Sequence, residues 1–336
     1  MHGAYVAVAL ATLGGLVSAT AALWAWTPLR HRTMDIAETI RPLSRFAYLA
    51  ADRRSGHVDH YALYQGLGEI ADRLRAADVL FIGNSRLMFG LPQEQVRAFF
   101  GARGISYYVM GFGHTEGLGF AEDIVERLDL HPKLIVANAD GTFFTNEVSE
   151  WAALVMETGR FDALKYRAEA EATHWVRRHL HRVIPHVLEL YRNEPEFIVY
   201  RSSRDGTWRV EWDRMTNDGA GVPMDDGRVD EADVRTVAIA RRFQLDMAAR
   251  GAQLVLCSIP SPHVSQGHGR ALAEQLGVPF LAPVVDDIRH FDGSHLTPAS
   301  ARRYSEALLA ELDGVLRTHV PELLGAPVRP REDPVP

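Results

Sequence analysis

The residues of this chain able to do chemistry gather in two short stretches far apart in sequence. One is Asp292-Gly293-Ser294-His295-Leu296-Thr297-Pro298, where an acid precedes a histidine by three residues at a turn that opens a helix. The other is Gly83-Asn84-Ser85-Arg86, a turn that closes the apolar run Val79-Leu80-Phe81-Ile82. A serine hydroxyl is a poor nucleophile until a base takes its proton, and histidine, with an ordinary pKa of about 6.5, suits that task near neutral pH. An acid on the other ring nitrogen fixes the tautomer and stabilises the imidazolium. Ser85 as nucleophile, His295 as base and Asp292 as the orienting acid form a complete acyl-transfer set. Because Asp292 and His295 share one turn, local structure can aim both.

Acyl transfer also needs donors for the oxyanion. A serine between a strand and a helix leaves backbone N–H groups of the following turn, beginning with its own, facing the site. The next two strand ends offer more: the amide of Gly111 or Gly113 in Gly111-Phe112-Gly113-His114-Thr115-Glu116-Gly117, and the side-chain amide of Asn138 in Asn138-Ala139-Asp140. The predicted oxyanion set is Ser85, Gly113 and Asn138. Arg86 and His114 are candidate substrate contacts, with Glu116 nearby; Asp140 either caps a turn or lines the site. His263, at another strand end, reads as an ordinary loop histidine.

The elements that must hold these groups are legible in the hydrophobic pattern. Apolar runs at 79–82, 106–110, 133–137, 253–259 and 278–281 predict strands buried on both faces, alternating with predicted helices after Pro92 and at 121–130, 231–250, 271–276 and 299–316. Thr297 and Pro298 suit the N-cap and first position of the last helix. This is the pattern of a parallel sheet covered by helices, whose sites lie at the carboxyl ends of strands. Residues 34–78 read as helical and connecting. An insertion at about 145–228 comprises helices over 151–192, basic around Arg177, Arg178, His179, His181 and Arg182, and a β-hairpin, 197–200 and 207–212, around Asp205-Gly206.

Composition excludes several classes. A net charge of -7 over 336 residues gives no electrostatic reason to expect nucleic acid. The fifteen histidines include no His-Glu-x-x-His, and the close pairs His57/His60 and His179/His181 sit among arginines, so no metal is expected. No Gly-x-Gly-x-x-Gly or Walker loop is present, so no nucleotide cofactor is expected either. The single cysteine, Cys257, lies in a predicted strand and reads as a small core hydrophobe.

From Gly3 to Leu29 no side chain is charged, and Trp24 and Trp26 fall near one end. Such a run is long enough to cross about 30 Å of hydrocarbon, which predicts a membrane anchor; a cleaved signal ending near Ser18–Ala22 is the alternative. Arg30, His31 and Arg32 follow it, and the positive-inside rule taken alone leaves the bulk of the chain cytoplasmic.

The two chemical stretches together resemble the SGNH, or GDSL, hydrolase superfamily of serine esterases and acyltransferases. Its first block, Gly-Asp-Ser, corresponds to Gly83-Asn84-Ser85, with Asn in place of Asp; its last, Asp-x-x-His, corresponds to Asp292-Gly293-Ser294-His295. The glycine loop corresponds to Gly111–Gly113. The family's Gly-x-Asn-Asp loop falls at Asn138-Ala139-Asp140, which departs from that pattern. The resemblance spans about 79–316 and implies a flavodoxin-like three-layer α/β/α fold with a parallel sheet. The expected organisation is an anchor at 1–33, the hydrolase-like domain with its insertion at 34–324, and a flexible Pro-rich tail at 325–336. The expected function is ester hydrolysis or acyl transfer, without a cofactor, on acyl groups of a cell-envelope carbohydrate. Membrane-anchored relatives working outside the cytoplasm set the expected location as periplasmic, against the flanking arginines. The alternative is a catalytically idle domain that binds glycan or assists envelope assembly.

Overall fold

The computed structural model describes residues 47–52, 58–113, 116–140, 143–183, 197–212, 214–221 and 232–324. The expected anchor, the tail and His114 lie outside these residues. In chain order the elements are β1 (Ala47–Asp52), α1 (Val58–Tyr64), α2 (Ile70–Arg75), β2 (Val79–Gly83), α3 (Ser85–Gly90), α4 (Gln93–Arg103), β3 (Tyr107–Gly111), α5 (Leu118–Arg127) and β4 (Leu134–Asn138). The insertion follows with α6 (Glu150–Glu157), α7 (Arg160–Val183), β5 (Phe197–Ser202), β6 (Trp208–Trp212) and β7 (Ala220–Gly221). The chain closes with α8 (Val234–Ala249), β8 (Gln253–Cys257), α9 (Gln266–Leu276), β9 (Phe280–Leu281), β10 (Arg289–His290) and α10 (Pro298–His319). Among the described residues no helix is long and apolar enough to cross a membrane.

The core is a five-stranded parallel sheet in the order β3-β2-β4-β8-β9. Alternation along each strand explains its two covered faces. Leu80, Ile82, Tyr108, Met110, Ile135, Ala137, Leu254 and Leu256 pack toward α1, α2, α5, α8 and α9. Val79, Phe81, Tyr107, Val109, Leu134, Val136, Val255 and Cys257 pack toward α3, α4 and α10. Helices thus sandwich the sheet. Strand order reverses direction at β2, between β3 and β4, and a doubly wound sheet opens a crevice at that point outside its carboxyl ends. Burial pushes the Cys257 thiol up to about 12, so it is inert core, as its sequence context implies.

Three departures from the sequence expectations bear on the site. The segment 34–78, expected to be helical, contains β1, whose residues pair antiparallel with β5 nearly 150 positions later to make a three-stranded sheet, β1-β5-β6. A short helix, α3, begins directly at Ser85, ahead of the helix expected after Pro92. The insertion is folded back onto the domain. Val109 of edge strand β3 donates to the Asp205 carbonyl at 2.8 Å, Arg97 of α4 pairs with Asp205 at 2.6 Å, and β7 pairs with β10 just before the Asp292 turn.

Candidate active site

The Ser85 turn is built by close approach. A side chain at Gly83 would place its Cβ 2.8 Å from the Cβ of Asn138 and 2.8 Å from Leu87, so only glycine lets β2 end against β4 there. Asn84 then caps α3, its side chain accepting from the Arg86 amide at 3.0 Å, and Ser85 is the first helical residue. This cap corrects one expectation: the Arg86 N–H of the turn is taken by Asn84, which leaves the Ser85 amide as the turn's candidate donor.

The acid–histidine turn is equally local. Asp292 Oδ1 accepts from the amides of Ser294 (2.9 Å) and His295 (2.8 Å). Gly293 takes φ +84°, a left-handed conformation that favours glycine. Thr297 caps α10 with Pro298 at its start, as the sequence predicts. Asp292 Oδ2 meets His295 Nδ1 at 2.7 Å, and His295 Nε2 meets Ser85 Oγ at 2.9 Å. Burial raises the Asp292 carboxyl, but the hydrogen bond and charge of His295 and the two turn amides outweigh it and hold the acid down at about 2. Asp292 is therefore a carboxylate throughout the neutral range. The three predicted catalytic residues, 210 positions apart at the extremes of the domain, form one relay.

A buried polar network joins the two turns. Asn138 Nδ2 donates to Asn84 Oδ1 at 3.2 Å, and Asn84 Nδ2 donates to Asp140 Oδ2 at 2.8 Å. Arg86 Nη1 pairs with the same Asp140 oxygen, and Arg86 Nε donates to Ser294 Oγ at 3.2 Å. Asp140 and Asn138 are each 1% exposed. Arg86, expected as a substrate contact, is thus engaged as a brace between the Ser85 turn and the His295 turn. Asp140 is its buried counter-ion.

The remaining expected residues are placed as follows. Asn138 ends β4 beside the Ser85 turn, with its side chain tied to Asn84. Gly113 follows β3, and its φ lies outside the left-handed region; among the described residues a Cβ there would meet only Trp208, at 3.7 Å. Glu116 is buried, accepts from Ser149 and faces His60 at 3.7 Å, so it supports the insertion. His263 is an exposed loop residue. Among the described residues no group of three His, Cys, Asp or Glu side chains is placed to hold a metal ion. A separate cleft of about 510 Å³ near α6 and α7, lined by Tyr61, Leu154, Glu157, Asp162 and Lys165, contains none of the triad residues.

Two features escape the sequence reading. Phe89, one helical turn after Ser85, lies against His295 with ring centroids 4.3 Å apart, and continues into Phe291 (5.7 Å) and Trp208 (6.1 Å); Trp212 meets Phe291 edge-on at 5.4 Å. The signal was the i,i+4 spacing of Ser85 and Phe89 and the alternation that puts Trp208 and Trp212 on one face of β6. The second is Arg201, 0% exposed, which pairs with Asp59 through Nε (2.7 Å) and Nη2 (2.8 Å). It also donates to the carbonyls of Val109 (2.7 Å), Gly206 (2.8 Å) and Gly111. One buried guanidinium therefore fixes the hairpin and the strand end that leads into Gly113. No family model, no curated protein and no solved structure matches this chain.

Proposed function

We propose that this protein is a serine esterase or O-acyltransferase of the SGNH type. The observation that carries the reading is the relay from Ser85 Oγ through His295 to Asp292, with both links at hydrogen-bond length, 2.9 and 2.7 Å. Its position outside the carboxyl ends of β2 and β4, at the switch point of the sheet, supports it further. Counted within the sheet, the strand order is 2-1-3-4-5, which favours the flavodoxin-like arrangement expected of that superfamily.

In this mechanism His295 takes the Ser85 proton as Oγ attacks an ester carbonyl. The donors assigned to the oxyanion are the amides of Ser85 and Gly113 and the second N–H of the Asn138 side chain, whose first goes to Asn84. The tetrahedral intermediate collapses, His295 returns the proton to the departing alkoxide, and the acyl group stays on Ser85. Water or a second hydroxyl, deprotonated by His295, then releases it. The Arg86–Asp140 brace keeps nucleophile and base in register without entering the chemistry. The intact relay is the reason to prefer an enzyme over an idle scaffold.

The uncharged stretch from Gly3 to Leu29 supports membrane attachment. An envelope carbohydrate bearing O-acetyl groups as substrate, outside the cytoplasm, rests on the resemblance to membrane-anchored SGNH proteins, against the positive-inside reading of Arg30, His31 and Arg32. The test is acetate release from O-acetylated polysaccharide and from a small acetyl ester by the full chain. Wild type is expected to release acetate, and Ser85→Ala to lose at least about 10³-fold. Folded wild type that neither hydrolyses nor transfers an acyl group from either donor overturns the proposal.

A further inference from the structure

We infer that the aromatic wall of Phe89, Phe291 and Trp212 is the subsite for the alcohol part of the ester, and that it receives a pyranose ring by stacking. The inference rests on the reading of Ser85 and His295 given above. The base that returns its proton to the leaving oxygen must stand beside it, so the groups flanking His295 line the alcohol side. Phe89 lies 4.3 Å from the His295 ring, and Phe291 stacks toward it at 6.1 Å with planes 26° apart. Trp212 stands edge-on to Phe291 at 88°.

These rings pack on one another and on the edge of the core, Trp212 meeting Phe197 edge-on at 5.1 Å and Phe89 meeting Trp208 at 6.1 Å. Phe89, Phe291 and Trp212 are half-buried and belong to none of the hydrophobic clusters of the core. Half-buried aromatics beside a nucleophile are suited to an apolar ligand face. Trp208 closes the opposite side, 3.7 Å from where a Gly113 Cβ would stand, so the wall runs from the acyl side to the alcohol side. The loop after Trp212 presents exposed Arg214, Thr216 and Asn217. A sugar uses both features, C–H faces against the rings and hydroxyls toward a polar rim; an aryl alcohol uses only the first. Arg86, the cation beside Ser85, is committed to Asp140.

Binding to the full chain carrying Ser85→Ala separates this inference from the proposed reaction, because it needs no turnover. The probes are methyl 6-O-acetyl-glucopyranoside, phenyl acetate and ethyl acetate, followed by saturation-transfer NMR and titration. The sugar ester is expected to bind with saturation concentrated on its ring C–H protons. Trp212→Ala and, with bulk retained, Phe291→Leu are each expected to weaken it about tenfold, with ethyl acetate far less affected. Unchanged sugar-ester affinity in both folded variants overturns the inference, as does an equal loss for ethyl acetate. Phenyl acetate binding more tightly than the sugar ester overturns the assignment to a carbohydrate.

Discussion

Asn84→Asp tests the buried network more sharply than any deletion, because it restores the residue usual in the resembled family and changes one atom's chemistry. Asn84 Oδ1 accepts from Asn138 and from the Arg86 amide, and a carboxylate keeps both bonds. Asn84 Nδ2, however, donates to Asp140 Oδ2 at 2.8 Å, and an aspartate there sets two carboxylates face to face at 7% and 1% exposure. The lost charge-assisted bond costs about 1.5–3 kcal/mol, and two like charges about 4 Å apart at an effective dielectric of about 20 repel by about 4 kcal/mol. Arg86, already on Asp140, offsets part of this, which leaves a net loss of about 3 kcal/mol at pH 7. Thermal unfolding is expected to fall by about 5 °C. The repulsion raises the pair's proton affinity in the folded state, so the penalty is full well above that raised pKa, shrinks as pH falls through it, and is gone below the ordinary carboxylate value of about 4. Asn84→Asp combined with Asp140→Asn restores a donor–acceptor pair and is expected to recover most of the loss. A single variant as stable as wild type at pH 7, or a double variant no better than the single one, refutes the reasoning.

Other consequences are as direct. Asp292→Asn is expected to lower kcat for ester hydrolysis by about 10⁴-fold with the fold intact, measured against a small acetyl ester. The Asp292 carboxyl sits at about 2 against an ordinary value of about 3.9, so its contribution to stability is full above about pH 5 and is lost as pH falls toward 2. The melting-temperature gap between wild type and Asp292→Asn is accordingly expected to be constant from pH 6 to 8 and to close below pH 4. Arg201→Met leaves Asp59 as an unpaired buried charge and is expected to destabilise by about 3–5 kcal/mol in denaturant unfolding, with Asp59→Asn in the same chain restoring part of it.

What was legible in the sequence was what is local. The Asp292–His295 turn and the Thr297 cap each depend on a few consecutive residues, and the sheet strands announce themselves as short runs buried on both faces. β1 was not legible because its partner lies in β5, and Ala47-Tyr48-Leu49-Ala50-Ala51-Asp52 has neither a strict alternation nor a turn to mark it. Arg86 read as a substrate contact because its counter-ion, Asp140, is 54 residues away. Trp212 and Phe291 meet where β7 pairs with β10 and brings the insertion beside the Asp292 turn. Pairings of this kind are set by tertiary packing, to which single-residue propensities are blind.

The central claim is that Ser85 is an activated nucleophile. Intact-mass analysis of the full chain after reaction with a fluorophosphonate, with the adduct mapped by peptide sequencing, reads that property without knowledge of the substrate. A single adduct on Ser85, absent in Ser85→Ala and formed far more slowly in His295→Ala, is the predicted result. Folded wild type that stays unmodified, or an adduct on another residue, contradicts it.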